Sequence, residues 1–174
     1  IDLIFNEKMV TVEIDPVGLK FTAICTLILY IKYYVVLSIG SGKRFKSGSR
    51  SPEDVMFCGS ESRAQNFKVA SISVNTSPGL KKAIEQDLRY QRIVANDLEN
   101  VPLFLLFAWM SLICMYSLHA HLLFTGTFTI ARVLHSYVYA NAMQPHRVIA
   151  FLLGLVSNAG VLCNLVLGAL AVHQ

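Results

Sequence analysis

Charged residues are scarce in this sequence. Asp, Glu, Lys and Arg make up 15% of its 174 residues, where soluble chains carry roughly 25%. Hydrophobic residues reach 54% and the mean hydropathy is +0.51. That composition excludes a disordered chain and fits a plain soluble domain poorly. The four cysteines, Cys25, Cys58, Cys114 and Cys163, include no CxxC pair, so there is no zinc or dithiol signature. Three of them lie in apolar runs, where a free cysteine acts as a small hydrophobe. No metal is expected, because His119 and His121 alone make a poor ligand set; both read as interfacial. The net charge is only +4. The basic residues form no face interleaved with aromatics, so nucleic acid is not an expected partner. Residues 1–16 hold four acids and one lysine, unlike the cationic opening of a signal peptide.

What the sequence has instead is long apolar runs. The first is Val17–Ile39, whose Lys20 and Lys32 lie toward its ends and can snorkel. At 1.5 Å per residue it spans roughly 34 Å, enough for a bilayer core. The second, Val101–Leu118, has no charge in 18 residues; its helix is predicted to start near Ile84. The third, Leu122–Ala142, has one charge, Arg132. The fourth, about 148–172, has none. Nothing alternates like a barrel strand, and backbone groups in lipid must be satisfied within helices. The expected fold is all-α: one polytopic membrane domain over 1–174, with spans at about 17–39, 101–118, 122–142 and 148–172. A soluble loop of about 40–88 joins the first two.

Orientation follows from the loops. Gly40–Arg50 carries Lys43, Arg44, Lys46 and Arg50 and no acid. The loop before the fourth span has Arg147, whereas the stretch near His119–His121 has no lysine or arginine. The positive-inside rule then puts loops 1 and 3 in the cytosol and both termini on the far side.

Ionisable residues inside membrane helices are functional candidates by default. On helix 2, Arg89, Arg92, Asn96 and Glu99 fall at i, i+3, i+7 and i+10, within about an 80° arc. On helix 3, Arg132, His135, Ser136 and Tyr139 share one face at i, i+3, i+4 and i+7, and Arg132 must face protein or water. Each stripe also reads as structural, with Glu99 as a partner for Arg132. Gln144-Pro145-His146-Arg147 opens helix 4, where Pro suits a helix start. Free N–H groups there plus Arg147 are expected to favour a bound anion. Together these residues describe a cationic pocket facing the cytosol at the membrane surface.

These residues also carry a resemblance. Arg89-x-x-Arg92-x-x-x-Asn96-Asp97-Leu98-Glu99 followed by Phe104 resembles the second-helix signature of the MAPEG superfamily, membrane-associated proteins of eicosanoid and glutathione metabolism. Arg132-Val133-x-His135-Ser136-x-x-Tyr139 resembles its third-helix motif, and Gln144-Pro145-x-Arg147 the start of its fourth helix. Pro52-Glu53-Asp54 and Ile31–Val36 resemble its first loop and first helix. Within the superfamily the chain looks like microsomal glutathione transferase and microsomal prostaglandin E synthase. It departs at Val94, Ala95 and Val148, where His, a basic residue and Ser are usual.

The resemblance implies a homotrimer of four-helix subunits in the endoplasmic reticulum membrane, or also the mitochondrial outer membrane. It implies glutathione bound between subunits by Arg44, Arg92, Asn96, Glu99, Arg132, His135 and Tyr139. It places Arg147 at the thiolate and Asp54 nearby as catalytic residues. The implied chemistry is conjugation of glutathione to an apolar electrophile or reduction of a lipid hydroperoxide. A prostaglandin E synthase-type isomerase and a non-catalytic paralogue are the alternatives; Val148 in place of Ser argues against the isomerase.

Overall fold

The computed structural model describes residues 2–5, 8–11, 14–57, 65 and 76–171. Four helices account for nearly all of them: α1 (Pro16–Ser47), α2 (Pro78–Cys114), α3 (Leu118–Ala140) and α4 (His146–Ala171). A hairpin, β1 (Asp2–Phe5) and β2 (Lys8–Thr11), precedes them, antiparallel with Leu3 opposite Val10 and Ile4 opposite Met9. The sequence reading placed no strand there, since four-residue strands are too short for alternation to register. A six-residue 3-10 turn, Pro52–Phe57, follows α1. Cys58 lies outside the described residues.

The helix ends have local causes. Asp15 caps α1 by accepting from the Val17 and Gly18 amides at 2.9 and 2.8 Å, the usual role of an N-cap carboxylate. Gly48 ends it in the left-handed region at φ 82°, where a Cβ would be strained. At the start of α2, Ser77 is the N-cap and Pro78 the first helical residue, where a missing N–H costs nothing. The loop expected over 40–88 is therefore shorter, with helix through Ser47 and again from Pro78.

At 1.5 Å per residue, α1 and α2 are about 48 and 55 Å long, longer than a bilayer core of about 30 Å. Their excess forms a paired extension at one end. Buried Asp87 clamps it, accepting from Ser47 and Ser49 Oγ at 2.6 and 2.5 Å and from Gln91 at 2.9 Å. Further down, Lys32 meets Asp97. Contacts that rise along α1 while falling along α2 mean the two are antiparallel. The remaining helices alternate likewise, giving an up-down-up-down bundle. Three helices, α1, α2 and α4, are long and apolar enough to cross a membrane. The fourth, α3, carries one charged residue, the buried Arg132, and packs against all three others.

The core is Leu29, Phe104, Ala108, Phe128 and Val161, with Phe104 and Phe128 stacked at 3.6 Å between centroids. Buried His121 ties the opposite end together. Its Nε2 meets Thr22 Oγ1 at 2.7 Å and its Nδ1 meets Ser111 Oγ at 2.6 Å. Thr22 already donates to the Gly18 carbonyl, so the arrangement assigns the proton to Nε2. His121 is thus a satisfied structural histidine rather than the interfacial residue expected, because both hydroxyl partners lie on other helices.

On α4, Asn164 holds the α2–α3 turn, accepting from the Ser117 amide at 2.9 Å and donating to the Ser117 carbonyl at 3.1 Å. One turn on, Gly168 lies against the backbone of Cys114, whose carbonyl a Cβ would overlap. Gly168→Ala is expected to lower stability by about 1–3 kcal/mol, because backbone cannot step aside cheaply. Gly42→Ala, with open space around it, should be neutral or stabilising by up to about 1 kcal/mol. Thermal unfolding in detergent followed by circular dichroism compares the two; equal midpoints would refute the close α2–α4 approach.

Candidate functional site

The polar residues of α3 face into the bundle, between α2 and α4. Arg132 is 1% exposed and His135 3%, both deep enough that unpaired polar groups are costly. Arg132 Nη1 donates to Asn96 Oδ1 at 2.5 Å. Its guanidinium lies 5.3 Å from the Phe128 ring centre and 6.0 Å from that of Phe151, within cation–π range. Gly154 of α4 faces it, and a Cβ there would lie in ordinary van der Waals contact with the guanidinium, 3.5 Å from Nε. Arg132 Nε and Nη2, and His135 Nδ1, have no hydrogen-bond partner among the described residues.

His135 continues the line toward the end of the bundle. Its ring is 5.7 Å from Tyr139 and 6.3 Å from Phe151. Arg147, in the first turn of α4, stacks over Tyr139 at 4.8 Å. With the Gln144 amide turned to satisfy both groups, its oxygen accepts from Arg147 Nε at 3.1 Å and Nη2 at 2.5 Å. The free helix N-terminus expected here is not free. The Arg147 amide donates to Met143, and the Val148 and Ile149 amides to Pro145, because the turn before α4 already supplies carbonyls. Charge at this point comes from the Arg147 side chain alone.

A buried ion pair flanks the line on the α1 side. Lys32 Nζ contacts both Asp97 carboxylate oxygens at 2.5 Å, with side chains 9% and 2% exposed. Lys32 therefore does not snorkel. Its partner lies 65 residues away in sequence, and the α1–α2 interface buries both. Asp97 attracts Arg132 as well as Lys32, and His135 feels Arg132, Lys32 and Arg147 together. Two of these cations, Lys32 and Arg132, share the one Asp97 carboxylate, and the cluster is left positive.

The structure joins Asn96, Arg132, His135, Tyr139 and Arg147 in one subunit. It leaves four other candidates apart from them. Arg92 and Glu99 are exposed on the outer edge of α2, so Asn96 rather than Glu99 partners Arg132. Glu99 lies only about 60° round the helix from Asn96, but on its exposed side. Arg44, on the last turns of α1, lines a separate 250 Å³ hollow with Asp87, Tyr90 and Val94. Asp54 is bonded by Arg50 at 2.6 Å in the 3-10 turn, and Arg50 stacks on Phe45 at 4.2 Å. Sequence reasoning gave Asp97 no role of its own. The usable signal was Lys32 inside an apolar run, which needs an anion nearby.

Uncapped guanidinium nitrogens, aromatic walls and an excess of cations suit a small anion with several carboxylates. A profile of the MAPEG family matches residues 22–167, a range that contains every one of these side chains. The chain belongs to the MAPEG family. No curated protein matches it closely enough to carry a finer assignment. As a MAPEG protein it is a multi-pass membrane protein of the glutathione-related transferase and isomerase group, a group that also has non-catalytic members. The fit of glutathione to this MAPEG chain rests on the unpartnered nitrogens of Arg132: a buried guanidinium with two donor atoms to spare matches a carboxylate.

Proposed function

We propose that this MAPEG protein is a glutathione-dependent transferase and peroxidase of the endoplasmic reticulum membrane, acting on apolar electrophiles and lipid hydroperoxides. The observation that carries the reading is buried Arg132, held by Asn96 through one nitrogen and unpartnered at two others. Glutathione supplies a nucleophilic thiolate for conjugation, or two electrons from two thiols to reduce a hydroperoxide to alcohol and water.

The residues divide the work. Arg132, with Arg92, Arg44 and Asn96, binds carboxylates by charge-assisted bonds, and Glu99 holds the amine. His135 and Tyr139 form the wall that orients the peptide. Arg147, packed on Tyr139, holds positive charge beside the thiol, whose ordinary pKa of about 8.5 keeps it mostly protonated at pH 7. Asp54 is proposed beside the thiol on the resemblance alone. Arg92 and Glu99 are exposed in one subunit although they continue the Asn96 stripe. A neighbouring subunit of a homotrimer would cover that stripe and close the site.

The test is turnover of a chromogenic aryl halide with glutathione by the full chain purified in detergent, with light scattering on the same sample. Saturable turnover and a trimer mass are expected. A stable protein that neither binds glutathione nor turns over aryl halide or lipid hydroperoxide would end the reading.

A further inference from the structure

A second polar feature lies elsewhere in the bundle. Between α1, α2 and α3 is a cavity of about 590 Å³, within the roughly 300–1,000 Å³ typical of ligand pockets. On α3 it is lined by Val133, Ser136, Tyr137 and Ala140. Val133, Tyr137 and Ala140 lie about 130° round the helix from the Arg132–His135–Tyr139 line, with Ser136 between the two faces, so the cavity opens beside the glutathione face rather than onto it.

Its lining is graded. The outer end has Lys43 and Arg89. Lys43 Nζ donates to neutral Gln86 Oε1 at 2.7 Å, which leaves its charge uncompensated, and Arg89 makes no ion pair among the described residues. The wall below is aliphatic: Val36, Ile39, Ile93 and Val133. The floor is Lys32, already paired with Asp97. No acid is among the described residues that line the cavity. From Lys43 to Lys32 is 11 residues along α1, roughly 16 Å of rise, about half a bilayer core. Cations at the rim over an apolar shaft match a molecule with an anionic head and a long chain, entering from the leaflet at that end.

We propose that this cavity binds an anionic acyl lipid, its head held by Lys43 and Arg89 and one acyl chain lying along Val36, Ile39 and Val133. The site is independent of the glutathione reading and stands if that reading fails. The shared chemistry is an anionic head on an acyl chain, from a free fatty acid or from an anionic bilayer lipid.

The experiment uses the full chain in nanodiscs of phosphatidylcholine, with radiolabelled palmitate as probe and hexadecanol as its uncharged counterpart. Palmitate should bind saturably and about tenfold or more tighter than hexadecanol. The double variant Lys43→Gln/Arg89→Gln should weaken palmitate about tenfold and barely change hexadecanol. Val133→Trp, which fills the shaft at a half-exposed position, should weaken both, with circular dichroism confirming the fold. Phosphatidylglycerol added to the nanodiscs distinguishes the sources: competition with palmitate names the bilayer lipid as occupant, and none names the free fatty acid. Equal affinity for palmitate and hexadecanol, or unchanged palmitate binding by the double variant, overturns the proposal. So does an intact protein that binds no palmitate, the result expected if a second copy of the chain fills this face.

Discussion

Arg147→Ala should lower glutathione turnover by roughly 10²–10³-fold, about 3–4 kcal/mol, the usual cost of removing one electrostatic contact to developing or fixed negative charge at the reacting centre. Glutathione binding should weaken far less. The two effects separate because Arg132 lies deeper, with its own partner in Asn96, and would still hold a carboxylate. Arg147 instead sits at the end of the line, over Tyr139 and against Gln144. Removing a cation beside a thiol raises the thiol's pKa, so the ultraviolet thiolate band of the bound peptide should appear at higher pH than in the parent protein. Arg92→Ala should mainly raise KM, the mark of lost uniform binding, and shift that titration less. If Arg147→Ala leaves both kcat and the thiolate titration where they were, Arg147 is a membrane-surface anchor and nothing more.

Lys32→Met should destabilise the protein by about 3–5 kcal/mol, since it strands the Asp97 carboxylate in the bundle without its partner. Asp97 is 2% exposed on its side chain, so an unpaired charge there is poorly solvated. The double change Lys32→Met/Asp97→Leu removes both charges together. It should recover most of the loss, because two buried charges exchanged for apolar groups of similar volume are often neutral in stability. Denaturant unfolding in detergent of the parent, both single variants and the double completes the cycle. A Lys32→Met protein as stable as the parent would mean the pair is solvated. A double variant weaker than either single would mean the charges stabilise through Arg132 rather than through each other. The cycle also bears on the site, because Asp97 attracts Arg132 as well as Lys32.

The sequence by itself determined the helical, membrane-crossing character of the chain. A long run without charge has only one way to satisfy its backbone in lipid, and that argument needs no partner. It also determined which residues share a face. Helical spacing alone puts Arg132, His135 and Tyr139 on one line, and the motifs around them carried the family. What that line packs against was decided only by tertiary structure. Periodicity fixes a direction around one helix, whereas a contact needs two. Asn96 rather than Glu99 meets Arg132 because α2 turns that edge toward α3. Lys32 finds Asp97, and His121 finds Thr22 and Ser111, on helices 65, 99 and 10 residues away. The amides of α4 are closed by a turn whose carbonyls depend on how α3 ends. The amphiphile cavity is likewise invisible in any single helix: its cations come from α1 and α2 and part of its wall from α3. These features exist only where helices cross, and the crossing is set by packing of side chains far apart in the chain.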